Sequence, residues 1–149
     1  MNKLHLILLL VLSGLMINCG NRNKEVVITH PNGEPQKVEH FHYEGNSRKV
    51  DKVVYFYKDG VKESEIKMKD GKKHGEVKYY YNNGQIKLRE NYKAGQLHGK
   101  CTEYYVDGTV NYEAHYKNGI PHGKWVYYDE NGNIKSKQKF KDGKLIEEN

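Results

Sequence analysis

An all-β fold is expected for this chain: an antiparallel meander of tandem β-hairpins lying side by side in one elongated, open single sheet. Three observations predict it. Thirteen Tyr and fifteen Gly stand out among the 149 residues; Tyr suits strands, and Gly next to Asn or Asp suits the tight turns between them. A pattern of glycines, histidines and aromatics returns every 24 residues, and a fixed period of that length marks a repeat architecture. Beyond the first 17 residues nothing carries the apolar period of a long amphipathic helix, and few Leu, Ile and Val remain for a thick core.

The chain begins with Met1-Asn2-Lys3, a short positive start, followed by a nearly unbroken apolar run from Leu4 to Ile17. Spanning a bilayer as a helix takes about 20 apolar residues, so residues 1–18 read as a signal peptide. The run ends in Leu15-Met16-Ile17-Asn18-Cys19-Gly20, which resembles a bacterial lipobox with Asn18 where Gly, Ala or Ser is commoner. The resemblance implies cleavage before Cys19 and a lipid on its thiol. Residues 19–24 are then the lipidated Cys and a polar tether. An exported protein held by its lipid in the cell envelope is expected, at the outer membrane or surface of a Gram-negative cell. Cys101 is the other cysteine; it has no partner for an internal disulfide and suits a small buried strand position.

Residues 25–149 form the repeat domain, with the period clearest over 71–143. Gly71, His74 and Gly75 return as Gly95, His98 and Gly99, and again as Gly119, His122 and Gly123. Ten residues after each His stands a turn glycine: Gly84, Gly108 or Gly132. Six after it stands Tyr80, Tyr104 or Tyr128, and eighteen after it Tyr92, Tyr116 or Phe140. Each unit closes on Lys-x-Gly, the last at Lys141-Asp142-Gly143. Over 25–70 the pattern is degenerate: Gly60 lies 24 residues before Gly84, yet the His-Gly pair is missing, and Val26 to Gly45 reads as a worn hairpin. Terminal units of an array are atypical because they cap it.

Asn83-Gly84 between strand-like runs predicts a two-residue type I′ turn, with positive φ at both residues. That centre opposes Tyr81 to Ile86, Tyr79 to Leu88 and Gly75 to Tyr92. In the following units it opposes Tyr105 to Val110, Glu103 to Tyr112, Tyr127 to Ser136 and Trp125 to Gln138. One face then collects Val77, Ile86, Leu88, Val110, Ala114, Trp125, Ile134 and Phe140. The other carries Tyr80, Tyr104 and Tyr128 among Lys78, Lys87, Arg89, Lys100, Lys124, Lys135 and Lys137. Such alternation fits an antiparallel sheet with one sheltered face. A turn of more than two residues would flip the facing.

The unit G-x-x-H-G … Y-Y-x-x-G-x-[IV] … Y-K-x-G, over about residues 50–145, resembles the MORN-variant repeat of bacterial proteins, in the family labelled YwqK-type antitoxins. The resemblance implies a meander of hairpins and a role in protein binding, including as antitoxin or immunity partner of a toxin.

No catalytic constellation emerges. His74, His98 and His122 invite a metal, but successive hairpins lie roughly 9–10 Å apart, and zinc needs its imidazole nitrogens about 2 Å from one ion. A structural role, filling the turns before Gly75, Gly99 and Gly123, is expected instead. His40 and His42 share a strand face without an evident third ligand. Gly95 to Cys101 superficially echoes a phosphate loop, but it lacks Ser or Thr after the Lys and enters a strand. Carboxylates are scattered singly, and Ser47, Ser64 and Ser136 lie in no nucleophile-elbow context. Neither an enzyme nor a cofactor is expected.

The net charge of +6 favours acidic partners without selecting among protein, anionic lipid, envelope polyanion and nucleic acid; no specific nucleic-acid partner is expected. The best binding candidates are Tyr80, Tyr104 and Tyr128 beside Lys87, Arg89 and Lys135, aromatics and bases on one open face. The expected function is non-catalytic protein interaction by an exported, lipid-anchored repeat protein, with a toxin as one class of partner. The alternative is an envelope lipoprotein that binds an anionic lipid, glycan or host polymer, or that serves a structural role.

Overall fold

The computed structural model describes residues 22–149; the expected signal peptide and the expected lipid site at Cys19 lie outside the described residues. The strands in chain order are β1 (Asn23–Thr29), β2 (Pro35–Glu44), β3 (Ser47–Phe56), β4 (Lys62–Lys69), β5 (Lys72–Tyr80), β6 (Ile86–Lys93), β7 (Gln96–Leu97), β8 (Gly99–Tyr104), β9 (Val110–Lys117), β10 (Ile120–Pro121), β11 (Gly123–Tyr128), β12 (Ile134–Lys141) and β13 (Lys144–Glu148). Each pairs with its chain neighbour in one open sheet that runs from edge strand β1 to edge strand β13; short β7 and β10 lie against β6 and β9. All pairings are antiparallel. The meander therefore runs through the worn units over 25–70 as well as the clear ones.

Two kinds of turn alternate, one on each margin of the sheet. On the first margin, Gly84 N donates to Tyr81 O at 2.9 Å and Tyr81 N donates to Gln85 O at 2.8 Å. This is a three-residue turn closed by a left-handed glycine, a type I turn with a bulge. Gly33, Gly60, Gly108 and Gly132 close equivalent turns. The two-residue type I′ turn expected at Asn83-Gly84 is thus corrected. The Asn83 side-chain oxygen accepts from Gln85 N at 3.0 Å, which holds the chain in an Asx turn and leaves only the glycine left-handed. Paired left-handed residues occur on the second margin instead, at Asp70-Gly71, Ala94-Gly95, Asn118-Gly119 and Asp142-Gly143.

The longer turn changes the register beyond it. Tyr79 pairs with Leu88, but Tyr80 pairs with Ile86, so Lys87 bulges out. The same shift leaves Glu63, Asn111 and Lys135 unpaired. The expected oppositions of Tyr81 to Ile86 and Tyr105 to Val110 are corrected to Tyr80 and Tyr104, while those made for Tyr79, Gly75, Glu103, Tyr127 and Trp125 stand. Directly opposed residues project to one face, so Ile86, Val110 and Ile134 belong with Tyr80, Tyr104 and Tyr128, not with Leu88 and Val77.

What remains on the sheltered face is a row of small residues between two rows of aromatics. Val77 and Ala114 are 0% exposed and Cys101 is 3% exposed. Tyr79, Leu88, Glu103, Tyr112 and Tyr127 form the row on one side. On the other side Tyr92, Tyr116 and Phe140 stand opposite Gly75, Gly99 and Gly123. A one-layer sheet has no second layer to bury its apolar rows; here the long rings lie over the short side chains between them. On the opposite face, among the described residues, only the N-terminal end has a buried apolar pair, Val38 and Val54.

Candidate functional site

Tyr80, Tyr104 and Tyr128 are half-buried rather than open. The Tyr80 hydroxyl donates to Glu65 at 2.6 Å; burial and that carboxylate push its pKa above the usual phenol range. The backbone carbonyls of the three are also occupied. Tyr57 OH donates to Tyr80 O at 2.9 Å, Tyr81 OH to Tyr104 O at 2.7 Å and Tyr105 OH to Tyr128 O at 2.9 Å. A second tyrosine ladder thus ties each hairpin to the next, and the Nε2 atom of His30 reaches Phe56 O at 2.8 Å in the same place at the N-terminal end. The sequence carried the signal, since Tyr57, Tyr81 and Tyr105 also recur every 24 residues. Arg89 is held by Glu76 at 3.8 Å and lies 6.0 Å from the Tyr104 ring centre. Of the candidate partner-binding residues only Lys87 and Lys135 are exposed, and they bulge out two units apart. The structure does not bring this set together as one free patch.

The repeated histidines reach across the unit boundary. His74 Nδ1 lies 3.5 Å from Ala94 N, His98 Nδ1 lies 3.1 Å from Asn118 Oδ1, and His122 Nδ1 lies 3.9 Å from Asp142 Oδ1. Each therefore contacts the following unit's left-handed turn, not only its own. The glycines of those turns tie back: Gly95 N, Gly119 N and Gly143 N donate to Lys73 O, Leu97 O and Pro121 O at 2.8–3.0 Å. Gly75, Gly99 and Gly123 take φ of +80°, +97° and +75°, a conformation that glycine adopts without strain. Among the described residues no three His, Cys, Asp or Glu side chains gather as metal ligands.

Burial, with Glu90 nearby, pushes the Cys101 thiol up to about 11, so it is protonated and poorly nucleophilic at neutral pH.

The aromatic face is packed ring against ring at its C-terminal end. Tyr116 lies 5.3 Å from Trp125, Trp125 lies 4.8 Å from Phe140, and Tyr112 lies 5.9 Å from Tyr127, all tilted pairs. At the other end Lys73 Nζ sits 4.7 Å from the Tyr92 ring centre and donates to Tyr79 OH at 3.1 Å. Tyr92 OH donates to Glu90 at 2.9 Å. Rings that keep one side toward solvent, edged by Glu90, Glu103 and Gln138, offer apolar area together with hydrogen-bond acceptors.

Residues 73–94, 97–118 and 121–142 each match the model of the MORN repeat variant. The chain thus carries three consecutive MORN-variant repeats, a construction that suggests a repeat-based binding module. No curated protein matches the sequence. Among solved structures, the chain is similar to a crystal structure of an S. aureus TarM mutant in complex with fondaparinux, alpha-GlcNAc-glycerol and UDP. That likeness has 13% identity and a TM-score of 0.36, and it covers 85% of this chain and 21% of that one. The chain spans about a fifth of the length of that structure.

Proposed function

We propose that the repeats form a non-catalytic protein-interaction module whose aromatic face seats the partner. The observation that carries this reading is the return of Tyr92, Tyr116 and Phe140 at one place in three consecutive repeats. The rings of Tyr116, Trp125 and Phe140 make one stripe across β9, β11 and β12, and Tyr92 stands at the same repeat position on β6, beyond β8. Rigid aromatic anchors give large contact area at small entropic cost and dominate protein interfaces. An antitoxin or immunity role is one form of this interaction. The test is capture from cell-envelope extract with the full chain as bait. One polypeptide is expected at near-equal stoichiometry, reduced at least about tenfold by Tyr116→Ala with Phe140→Ala, and retained by Lys124→Glu with Lys137→Glu on the other face. Equal recovery by both variants would remove the aromatic face from the reading.

The module is exported and lipid-anchored in this proposal, supported by the apolar run Leu4 to Ile17 and by Cys19 after it. Cells fed an alkyne-labelled fatty acid should label the wild-type chain and not the Cys19→Ser chain. Equal labelling of both would rule out the anchor at Cys19.

A further inference from the structure

We infer that the N-terminal end of the polar face holds a binding site for a phosphate-bearing small molecule. In the register of β1 to β4, Lys24 pairs with His40, His40 with Lys52, and Lys52 with Lys67. Four basic side chains thus stand in one cross-strand row, on one face, at neighbouring strand spacings of about 4.8 Å. Like charges placed directly opposite each other destabilise a sheet. Only Lys52 is relieved, by Glu65 at 3.5 Å, and that carboxylate also serves Lys62 at 3.3 Å and the Tyr80 hydroxyl. Among the described residues Lys24 and Lys67 have no carboxylate within ion-pair distance. Burial, together with Lys52 and Lys24, holds the pKa of His40 below the ordinary imidazole range.

The row borders a concavity of about 590 Å³, within the size range of small-ligand sites, which bind through a few convergent polar groups. Arg22, Lys49, Lys52, Lys67 and Lys69 line it against three carboxylates. Two of those carboxylates are already engaged: Asp51 by His42 at 2.9 Å, and Glu44 by His42 at 3.4 Å and Lys49 at 4.0 Å. The third, Asp70, belongs to a left-handed turn.

Lys67 also breaks the repeat at this spot. Twenty-four and 48 residues on stand Asn91 and His115, whose side chains bond Lys100 O at 2.8 Å and Lys124 O at 3.2 Å. Lys67 instead runs its stem past Gly75, where an added Cβ would lie 3.5 Å from its Cδ. At the far end of the same face, Lys124 opposes Lys139, and Glu147 stands 3.6 Å from Lys139. Glu147 serves one lysine there, whereas Glu65 is divided between Lys52, Lys62 and the Tyr80 hydroxyl, which leaves the N-terminal row room for an incoming negative charge. A phosphate ester supplies several acceptor oxygens for charge-assisted bonds from Lys52 and Lys67, and the remaining volume takes the group that carries it.

The test is calorimetric titration of the full chain, kept in a nonionic detergent, with inorganic phosphate, glucose 6-phosphate and glucose. Glucose 6-phosphate is expected to bind at least tenfold more tightly than glucose. Lys52→Gln with Lys67→Gln should weaken it by about a hundredfold, one factor of ten for each charged bond lost. That variant's urea midpoint should be unchanged or raised, because a repulsion is removed. Lys124→Gln with Lys139→Gln, the same charge change at the far end, should leave the affinity as it is. The inference is overturned by an equal loss in both double variants, which means diffuse charge, or by no preference for the phosphorylated sugar. It is also overturned by binding only to vesicles containing phosphatidylglycerol, which assigns the row to a membrane surface.

Discussion

Val77→Asp is expected to lower the stability of the folded chain by about 3–5 kcal/mol, the cost of an uncompensated buried charge, out of the 5–15 kcal/mol typical of a domain. Val77 is 0% exposed, and its cross-strand partners are Ile66 and Glu90. The new carboxylate would have an apolar neighbour on one side and a like charge on the other, with no base in its cross-strand row; Lys73, on the same face, is held by the Tyr79 hydroxyl at 3.1 Å. In a repeat array each unit contacts only its neighbours, so the loss should be local before it is global. Urea unfolding gives the total, and amide hydrogen exchange gives the place. Protection should fall first in β4, β5 and β6 and persist in β11 and β12. Val77→Ala, which leaves only a small cavity, should cost about 2 kcal/mol. A Val77→Asp chain within about 1 kcal/mol of wild type would show that the sheltered row does not hold the sheet together.

The triple change Tyr57→Phe, Tyr81→Phe, Tyr105→Phe should cost about 3 kcal/mol. Each substitution removes one hydroxyl bond and leaves a half-buried carbonyl without it, for about 1 kcal/mol at partial burial. The three sites lie one hairpin, roughly 10 Å, from each other, far enough to add. The unfolding transition should broaden as well, because these hydroxyls couple one unit to the next. The matched control is Tyr80→Phe, Tyr104→Phe, Tyr128→Phe, in which only Tyr80 loses a hydroxyl bond within the protein. Denaturant titrations of the two triples side by side decide it. Equal midpoints would mean that the cross-unit ladder is ornamental.

The repeat made the architecture readable. Gly, His and aromatic residues at fixed offsets placed the hairpins, and the pairing of Gly75 with Tyr92 and of Trp125 with Gln138 followed from counting outward from the turns. The errors entered at the turns themselves. Asn83-Gly84 has the composition of a two-residue turn, yet the Asn83 side chain bonds ahead to Gln85 N and the loop takes three residues. Asn next to Gly is compatible with both geometries, and the choice depends on a register shift at Lys87 that no local pattern records. That shift moved Ile86, Val110 and Ile134 to the other face.

The site was less readable for a related reason. The alternation places Tyr80, Tyr104 and Tyr128 among lysines, the pattern of an open face. Their occupancy comes from Tyr57, Tyr81 and Tyr105 one unit earlier, a contact about 23 residues distant in the chain. The N-terminal basic row was hidden for the same cause: Lys24, His40, Lys52 and Lys67 are scattered in sequence and meet only when four strands align.

Edge strands β1 and β13 lie at opposite ends of the sheet, and this sets how the molecule answers tension. A pull between its two ends acts across the strands, so the ladder of bonds is loaded one rung at a time instead of all at once. The chain should yield by unzipping, hairpin after hairpin, each freeing a length of roughly 80 Å when drawn out fully. Such an element gives way early at low force and keeps lengthening, a compliant spacer rather than a rigid strut.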